Sequence, residues 1–178
     1  MGDEIDDPRS GQRLVFGPAD GDVLRVDLFV SPGAFVRAHV HPAQEETFTG
    51  VAGTFELEVD GEKRTIRPGD SVVIPARTPH RFEAAAEEAH VRVTVRPALE
   101  LGGYFRAFLN LSREDRLRIP PRGLPKPLLL FAALMHRYRR EIAAPGIPVW
   151  LQRPLWRVLA LLGRLRGHRS SFPEYGAP

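Results

Sequence analysis

Residues 33–53 read GAFVRAHVHPAQEETFTGVAG, and both the expected fold and the candidate site follow from this segment. Side chains of an extended strand alternate between its two faces, so His39 and His41 project from the same face. Pro42 predicts a turn directly after them, and Glu46 then falls at the start of the next strand. Two adjacent strands therefore bring two imidazoles and a carboxylate together, which is typical of a metal site.

A second segment, GDSVVIPARTPHRF over residues 69–82, adds His80 at the start of another strand. Three neutral imidazoles and one carboxylate suit one divalent transition metal, either Fe, Mn, Ni, Zn or Cu. Calcium and magnesium are not favoured, because they prefer oxygen ligands. The chain has no cysteine, so thiolate metal sites and disulfides are excluded.

Short strands with period-two alternation surround these segments between residues 13 and 97. Apolar residues alternate with polar or charged ones over residues 24–30, apart from Phe29, and over residues 55–59 and 91–95, and Asp60-Gly61 predicts a hairpin turn. About eight strands without an intervening helix predict an all-β double-stranded β-helix, or jelly roll. We expect α-helices to be appended after it.

The two histidine segments resemble the two motifs of the cupin superfamily. The first motif is matched by Gly33, His39, His41, Glu46 and Gly53. The second is matched by Gly69, Pro75 and His80. The chain departs from the second motif at Arg77, where the family has glycine, and at Ala84, where it has asparagine. Neither departure falls on a ligand position, so the resemblance predicts a small cupin barrel with an intact metal site.

The resemblance implies that one metal ion is held by His39, His41, Glu46 and His80. The six-residue gap to the motif's last glycine selects Glu46 rather than Glu45, and Glu46 is also expected to accept a proton in catalysis. The resemblance further implies a homodimer and a dioxygenase-like oxidoreductase acting on a small organic molecule. Isomerase or cyclase chemistry at the same site is the next alternative. A non-catalytic cupin that senses or stores a small ligand is the alternative outside enzymes.

The substrate pocket is expected around the ligands. Phe48 and Phe82 each follow a ligand by two residues, so they should line the pocket and make it partly apolar. Arg37 precedes His39 by two residues and is expected either to clamp an anionic group of the substrate or to form an ion pair at the rim. The remaining histidines are expected to be ordinary surface or packing residues: His90, His136 and His168.

Charge divides the chain near residue 100. Residues 1–100 carry 11 Lys and Arg against 18 Asp and Glu, whereas residues 101–178 carry 14 against 4. We therefore divide the chain into an acidic, mobile lead-in (1–12), the barrel (13–97) and a basic helical extension (98–178). Helices are predicted over residues 103–111, 128–142 and 150–166, with Pro154 in the first turn of the last one.

The basic extension has three readings. The favoured one is that its helices pack on the barrel or on a partner subunit, with arginines paired against the acidic barrel. Peripheral membrane contact through the amphipathic C-terminal helices is the alternative. Nucleic acid is not expected as a partner, because no known binding motif is present. The N-terminus has no signal-peptide pattern, and the longest uncharged apolar run covers only residues 127–135, so a cytoplasmic protein is expected.

Overall fold

The computed structural model describes residues 3–18, 20–120, 122–168 and Phe172. Within these residues, ten strands form two antiparallel sheets. The strands are β1 (Glu4–Asp7), β2 (Gln12–Phe16), β3 (Leu24–Val30), β4 (Phe35–His39), β5 (Glu45–Ala52), β6 (Phe55–Val59), β7 (Glu62–Ile66), β8 (Ser71–Ile74), β9 (His80–Ala84) and β10 (Ala89–Arg96). One sheet has the order β1-β2-β3-β10-β5-β8 and the other β4-β9-β6-β7. The predicted jelly-roll β fold is confirmed.

Alternation along the strands places the core between the two sheets. In β10, which lies between β3 and β5, Val91, Val93 and Val95 are buried and the residues between them are more exposed, because successive side chains point to opposite faces of the sheet. Phe48 of β5 meets Phe82 of β9 across the core, with ring centroids 5.6 Å apart. The core beneath the candidate site is therefore aromatic.

The acidic N-terminal segment belongs to the larger sheet. Strand β1 pairs antiparallel with β2, placing Ile5 opposite Leu14, and both side chains are buried. The prediction of a mobile lead-in over residues 1–12 is therefore wrong for residues 4–7. The strand is only four residues long and carries one apolar inward side chain, which is too little alternation to be recognised among so many acidic residues.

Three helices follow the strands: α1 (Leu101–Arg113), α2 (Leu128–Arg137) and α3 (Val149–Leu165). Helix α2 ends earlier than predicted because residues 138–142 turn back toward the barrel. Helix α3 begins at Val149, so Pro154 lies in its second turn and not in the first, as was predicted. The missing N–H of this proline leaves one carbonyl of the first turn without its helical hydrogen bond.

The helical region is joined to the barrel by hydrogen bonds and packing. Ala143 pairs with Val40, the residue after β4, through two backbone hydrogen bonds of 3.0 Å. Helix α1 packs on β1, and α2 packs on α3. Among the described residues, no helix combines the length and the apolar character that crossing a bilayer requires.

Candidate metal centre

His39, His41, Glu46 and His80 converge at one mouth of the barrel. Each offers one ligand atom, and the four atoms lie within 4.8 Å of one another. His39 ends β4, His80 begins β9, and the two residues are direct partners in the sheet. His41 follows in the loop between the sheets, and Glu46 comes from β5 of the larger sheet. The cluster is therefore built from both sheets, because β4 and β5, which were expected to be adjacent strands, follow one another in the chain but lie in different sheets.

Each imidazole is oriented by a backbone carbonyl. The Nδ1 atoms of His39, His41 and His80 lie 2.9, 2.6 and 3.0 Å from the carbonyl oxygens of Arg37, Glu141 and Thr78, respectively. A carbonyl oxygen can only accept, so each Nδ1 carries the proton and donates it. In the neutral rings, the Nε2 atoms are then left with free lone pairs, which is the form that binds metals.

With all three rings neutral, the centre of the cluster holds only acceptor atoms. Oε2 of Glu46 lies 2.9 Å from Nε2 of His80 and 3.3 Å from Nε2 of His41. These three atoms are buried, and none has a hydrogen-bond partner of acceptable geometry. Buried lone pairs that face one another without a proton between them are unfavourable, and a cation among them removes the conflict. The donor set therefore fits one divalent transition metal.

Burial and mutual interaction shift the ionisation of these groups. Burial, together with the neighbouring His80 and His41, holds the pKa of His39 well below its usual value. Burial also acts against protonation of His41, but the adjacent Glu46 carboxylate raises the pKa of His41. Burial opposes ionisation of Glu46, yet His41 and His80 lower the pKa of Glu46 far below its usual range. The carboxylate is thus anionic at neutral pH.

The choice of Glu46 over its neighbour follows from strand alternation. Glu46 is 3% exposed and faces the cluster, whereas Glu45 is exposed to solvent. Arg77, which stands where the family motif has glycine, keeps a left-handed backbone with φ of 70°. Its N–H donates a 2.8 Å hydrogen bond to the carbonyl of His41, so the turn before His80 keeps its shape without glycine.

A cavity of about 1120 Å³ opens directly on the ligand cluster. Phe48 and Phe82 line it, and both are almost fully buried. Much of the remaining wall comes from the helical region, which the sequence did not indicate. Its apolar contributors include Tyr104, Phe105, Phe108, Phe131, Ile142 and Trp156.

Arg37 lies at a β-bulge that disturbs the predicted alternation. In β4, Val36 is opposite Phe82 and His39 is opposite His80, so the strand gains one residue between these pairs. Arg37 lines the cavity and its guanidinium donates a 3.0 Å hydrogen bond to the carbonyl of Gly123. Its expected role as an anion clamp stays a prediction.

The other histidines lie outside the cluster. His90 stacks on Phe29, and its Nε2 lies 2.9 Å from a carboxylate oxygen of Asp27. His136 is half-buried in the last turn of α2 and His168 follows α3. The contribution that sequence reasoning missed is the carbonyl of Glu141. Any residue type supplies a backbone carbonyl, so no side-chain pattern indicates it.

Comparison with known proteins places this architecture in a family. Residues 28–96 match the family described as "Cupin domain". The structure is similar to KdgF from Halomonas sp., with 30% sequence identity, a TM-score of 0.50, and coverage of 53% of this chain and 86% of KdgF. It also resembles a RmlC-like cupin from Shewanella frigidimarina, with 22% identity, a TM-score of 0.52 and coverage of 57% and 89%. The second likeness concerns the fold alone.

Two curated Streptomyces proteins are similar over part of the barrel. Protein SchB of Streptomyces halstedii is 38% identical over 53 residues, which are 30% of this chain and 38% of that protein. Polyketide synthase CurC of Streptomyces cyaneus is 35% identical over 57 residues, which are 32% of this chain and 37% of that protein. The chain thus aligns with less than two fifths of either relative's length.

Proposed function

The chain belongs to the cupin superfamily, and we propose that it is an enzyme that uses one divalent transition metal to act on a bulky, mainly apolar organic molecule. We further propose a dioxygenase-like reaction with an electron-rich enol or phenol. The observation that carries the proposal is the ligand cluster, which faces a cavity of about 1120 Å³. Cavities of this size and character typically bind small organic ligands.

The chemistry is divided between the metal and the side chains. A metal bound by these residues would supply Lewis-acid activation of a substrate oxygen and, as Fe, Mn, Ni or Cu, the redox capacity that reactions with O₂ require. Glu46 is anionic and buried, so it both balances the positive charge of a cation and can accept a proton from a substrate hydroxyl. Phe48 and Phe82 exclude water from the same space.

The proposed reaction needs no co-reactant besides O₂. A carbon–carbon double bond of the enol breaks, two carbon–oxygen double bonds form, and both atoms of O₂ enter the product. The substrate supplies all the electrons. The apolar lining favours a molecule that offers the metal few polar groups, such as a diketone in its enol form.

Metal content tests the first part of the proposal. The parent protein is expected to bind about one equivalent of metal. His39→Ala and Glu46→Ala are expected to bind none, because removing one of the four ligands removes most of the affinity of the site for the metal. Glu45→Ala is the matched control, since that carboxylate is exposed on the same strand. Metal retained in both ligand variants would overturn the assignment.

Oxygen consumption tests the reaction. The Fe, Mn, Ni and Cu forms are each presented with a panel of phenols, enols and diketones, and consumption of O₂ should match product formation. No consumption with any metal form, together with tight retention of a panel molecule, would favour a cupin that only binds its ligand.

Cyclase or isomerase chemistry is the second candidate, and one observation favours it. The similar Streptomyces protein is named a polyketide synthase, and poly-β-ketone chains enolise readily beside a Lewis acid. In that case the product has the mass of the substrate, or that mass less water, and no O₂ is consumed. Mass spectrometry of anaerobic reactions with a diketone distinguishes the two candidates.

A further inference from the structure

Helix α3 exposes a continuous apolar stripe. Its members are spaced by four and three residues, which keeps them on one side of a helix. They are exposed by 47%, 45%, 55%, 46% and 85%, in the order Leu151, Leu155, Val158, Leu162 and Leu165. Trp150, 74% exposed, and Leu161 border the stripe. So much exposed apolar surface on one helix is unusual for a protein that remains in water.

The stripe is not the face with which α3 packs on the rest of the chain. That face carries Gln152, Ala160 and Gly163, which are buried. At Gly163 an added Cβ would lie 3.2 Å from the carbonyl oxygen of Leu129 in α2, so the two helices approach closely there. Helix α3 is therefore fixed by one face, and the stripe is uncovered within the described residues.

Arginines border the stripe on one side. Residues 142–168 carry four arginines and no Asp or Glu. At 100° per residue, Arg153, Arg157 and Arg164 fall between the packed face and the stripe. Arg139, which follows α2, is part of the same positive region. Burial is the main cause of the lowered pKa of His136, and the positive charges of Arg139, Arg157 and Arg164 lower it further.

We propose that α3 lies on the surface of an anionic phospholipid bilayer, with its stripe at the boundary between headgroups and acyl chains and its arginines against the lipid phosphates. Leucine and tryptophan on one face with arginine at its border form the pattern of an interfacial helix. A second copy of the chain fits less well. Two stripes in antiparallel contact would bring the two sets of arginines together, and α3 has no acidic residue to pair with them.

The cavity supports the same partner. Leu155, a member of the stripe, also lines the cavity that reaches the ligand cluster, and so do Trp156, Ile147 and Leu124. Leu124 is 67% exposed and Ile147 is 43% exposed. An apolar molecule dissolved in a bilayer can therefore enter the cavity beside α3 without crossing water. The docking surface itself does not depend on the metal or on the reaction.

Vesicle binding by the full chain tests the proposal. The parent should sediment with vesicles that mix phosphatidylglycerol with phosphatidylcholine, should bind pure phosphatidylcholine much more weakly, and should be released by high salt. Val158→Asp with Leu162→Asp is expected to weaken binding about a hundredfold. The matched control is Val51→Asp with Val73→Asp, because both valines are exposed on the barrel.

The arginines are tested separately. Arg157→Gln with Arg164→Gln should weaken binding to anionic vesicles roughly thirtyfold. Lys63→Gln with Arg67→Gln is the control, since both side chains are exposed on the barrel. Equal binding by the parent and by both α3 variants, or no binding of the parent to anionic vesicles, would overturn the proposal.

Fluorescence gives a readout that leaves the stripe and its bordering arginines unchanged. The chain has two tryptophans, so Trp156→Phe leaves Trp150 as the sole emitter. Its emission should shift to the blue with anionic vesicles and be quenched by brominated lipid. A stable dimer that Val158→Asp with Leu162→Asp dissociates, without a spectral shift on vesicles, would instead identify a second copy as the occupant.

Discussion

The ligand cluster buries polar atoms that lack hydrogen-bond partners, whereas helix α3 exposes apolar side chains to solvent. The cluster buries polar atoms that lack partners, Nε2 of His41 and His80 and Oε2 of Glu46. Helix α3 exposes apolar side chains that lack cover, up to 85% at Leu165. Folding alone favours neither arrangement, because buried polar groups prefer partners and apolar surface prefers burial. Each region therefore indicates what completes it, a cation in one case and an apolar surface in the other.

The two regions also differ in how firmly they are held. The imidazoles are oriented by three backbone carbonyls inside the barrel mouth. The side chains of the α3 stripe are instead 45% to 85% exposed. A binding site for a small ion gains affinity from such preorganisation, whereas a bilayer surface accepts a range of side-chain positions.

The largest effect should follow from making the cluster apolar. Glu46→Leu with His80→Leu is expected to abolish metal binding and to raise the free energy of unfolding of the metal-free protein by about 1–4 kcal/mol, because apolar side chains of similar size replace buried charge. Calorimetric titration and thermal unfolding measure the two effects. Glu45→Leu, on the exposed face, should change neither. A metal-free double variant less stable than the parent would show that the buried polar atoms of the cluster do not destabilise the metal-free fold.

Sequence predicted the cluster well because each ligand comes from a side chain at fixed spacing. The spacing of the first motif puts His39 at the end of β4, period-two alternation turns Glu46 inward, and neither needs knowledge of distant contacts. The bulge before His39 was not visible, since a bulge inserts a residue without a characteristic composition.

Sequence predicted the helical region less well because its contacts are non-local. The three helices could be recognised from their periodicity, but the end of α2 could not. The chain leaves the helix before Ala143, which pairs with the distant Val40 through its backbone. Nor did the pattern show that residues 138–144 complete the site. That contribution is the backbone carbonyl of Glu141, and every residue type has one, so the sequence cannot indicate it.

The segment between α2 and α3 connects the two regions, and one substitution can disrupt its hydrogen bonds to the barrel. Ala143→Pro removes the N–H that donates to the carbonyl of Val40, and displaces the neighbouring Glu141 carbonyl from Nδ1 of His41. Metal affinity should fall about 10- to 100-fold, as for other partners of ligating histidines. Glu141→Gln is the control, because it keeps the carbonyl. Unchanged affinity in Ala143→Pro would mean that the barrel orients His41 without the helical region.

Acid should release the metal from the ligand cluster, whereas the arginines of α3 should stay charged. The raised pKa of His41 means that this ring takes up a proton at a higher pH than an ordinary imidazole, and metal and proton compete for Nε2. Below that pKa, metal affinity should fall about tenfold per pH unit, whereas Glu46 stays anionic because its pKa is lowered.

Titration calorimetry between about pH 8 and pH 6, in buffers of different ionisation enthalpy, counts the protons released. In the metal-free protein, the lowered pKa of His39 contributes stability that is present above the usual histidine pKa and is lost as the pH falls below it. Metal affinity independent of pH over this range would contradict the ligand assignment of His41. Vesicle binding through arginines should not change over the same range.

The smallest effect tests whether the stripe has any role within the folded chain. Leu162→Ala in α3 removes the same atoms as Leu134→Ala in α2, but Leu162 is 46% exposed and Leu134 is fully buried. The first substitution should change the free energy of unfolding by less than about 0.5 kcal/mol, whereas the second should lower it by about 2–5 kcal/mol. Chemical denaturation of both variants measures the difference. Comparable losses would mean that Leu162 packs within the chain in solution, and the stripe would then be part of the core rather than a surface kept free for a partner.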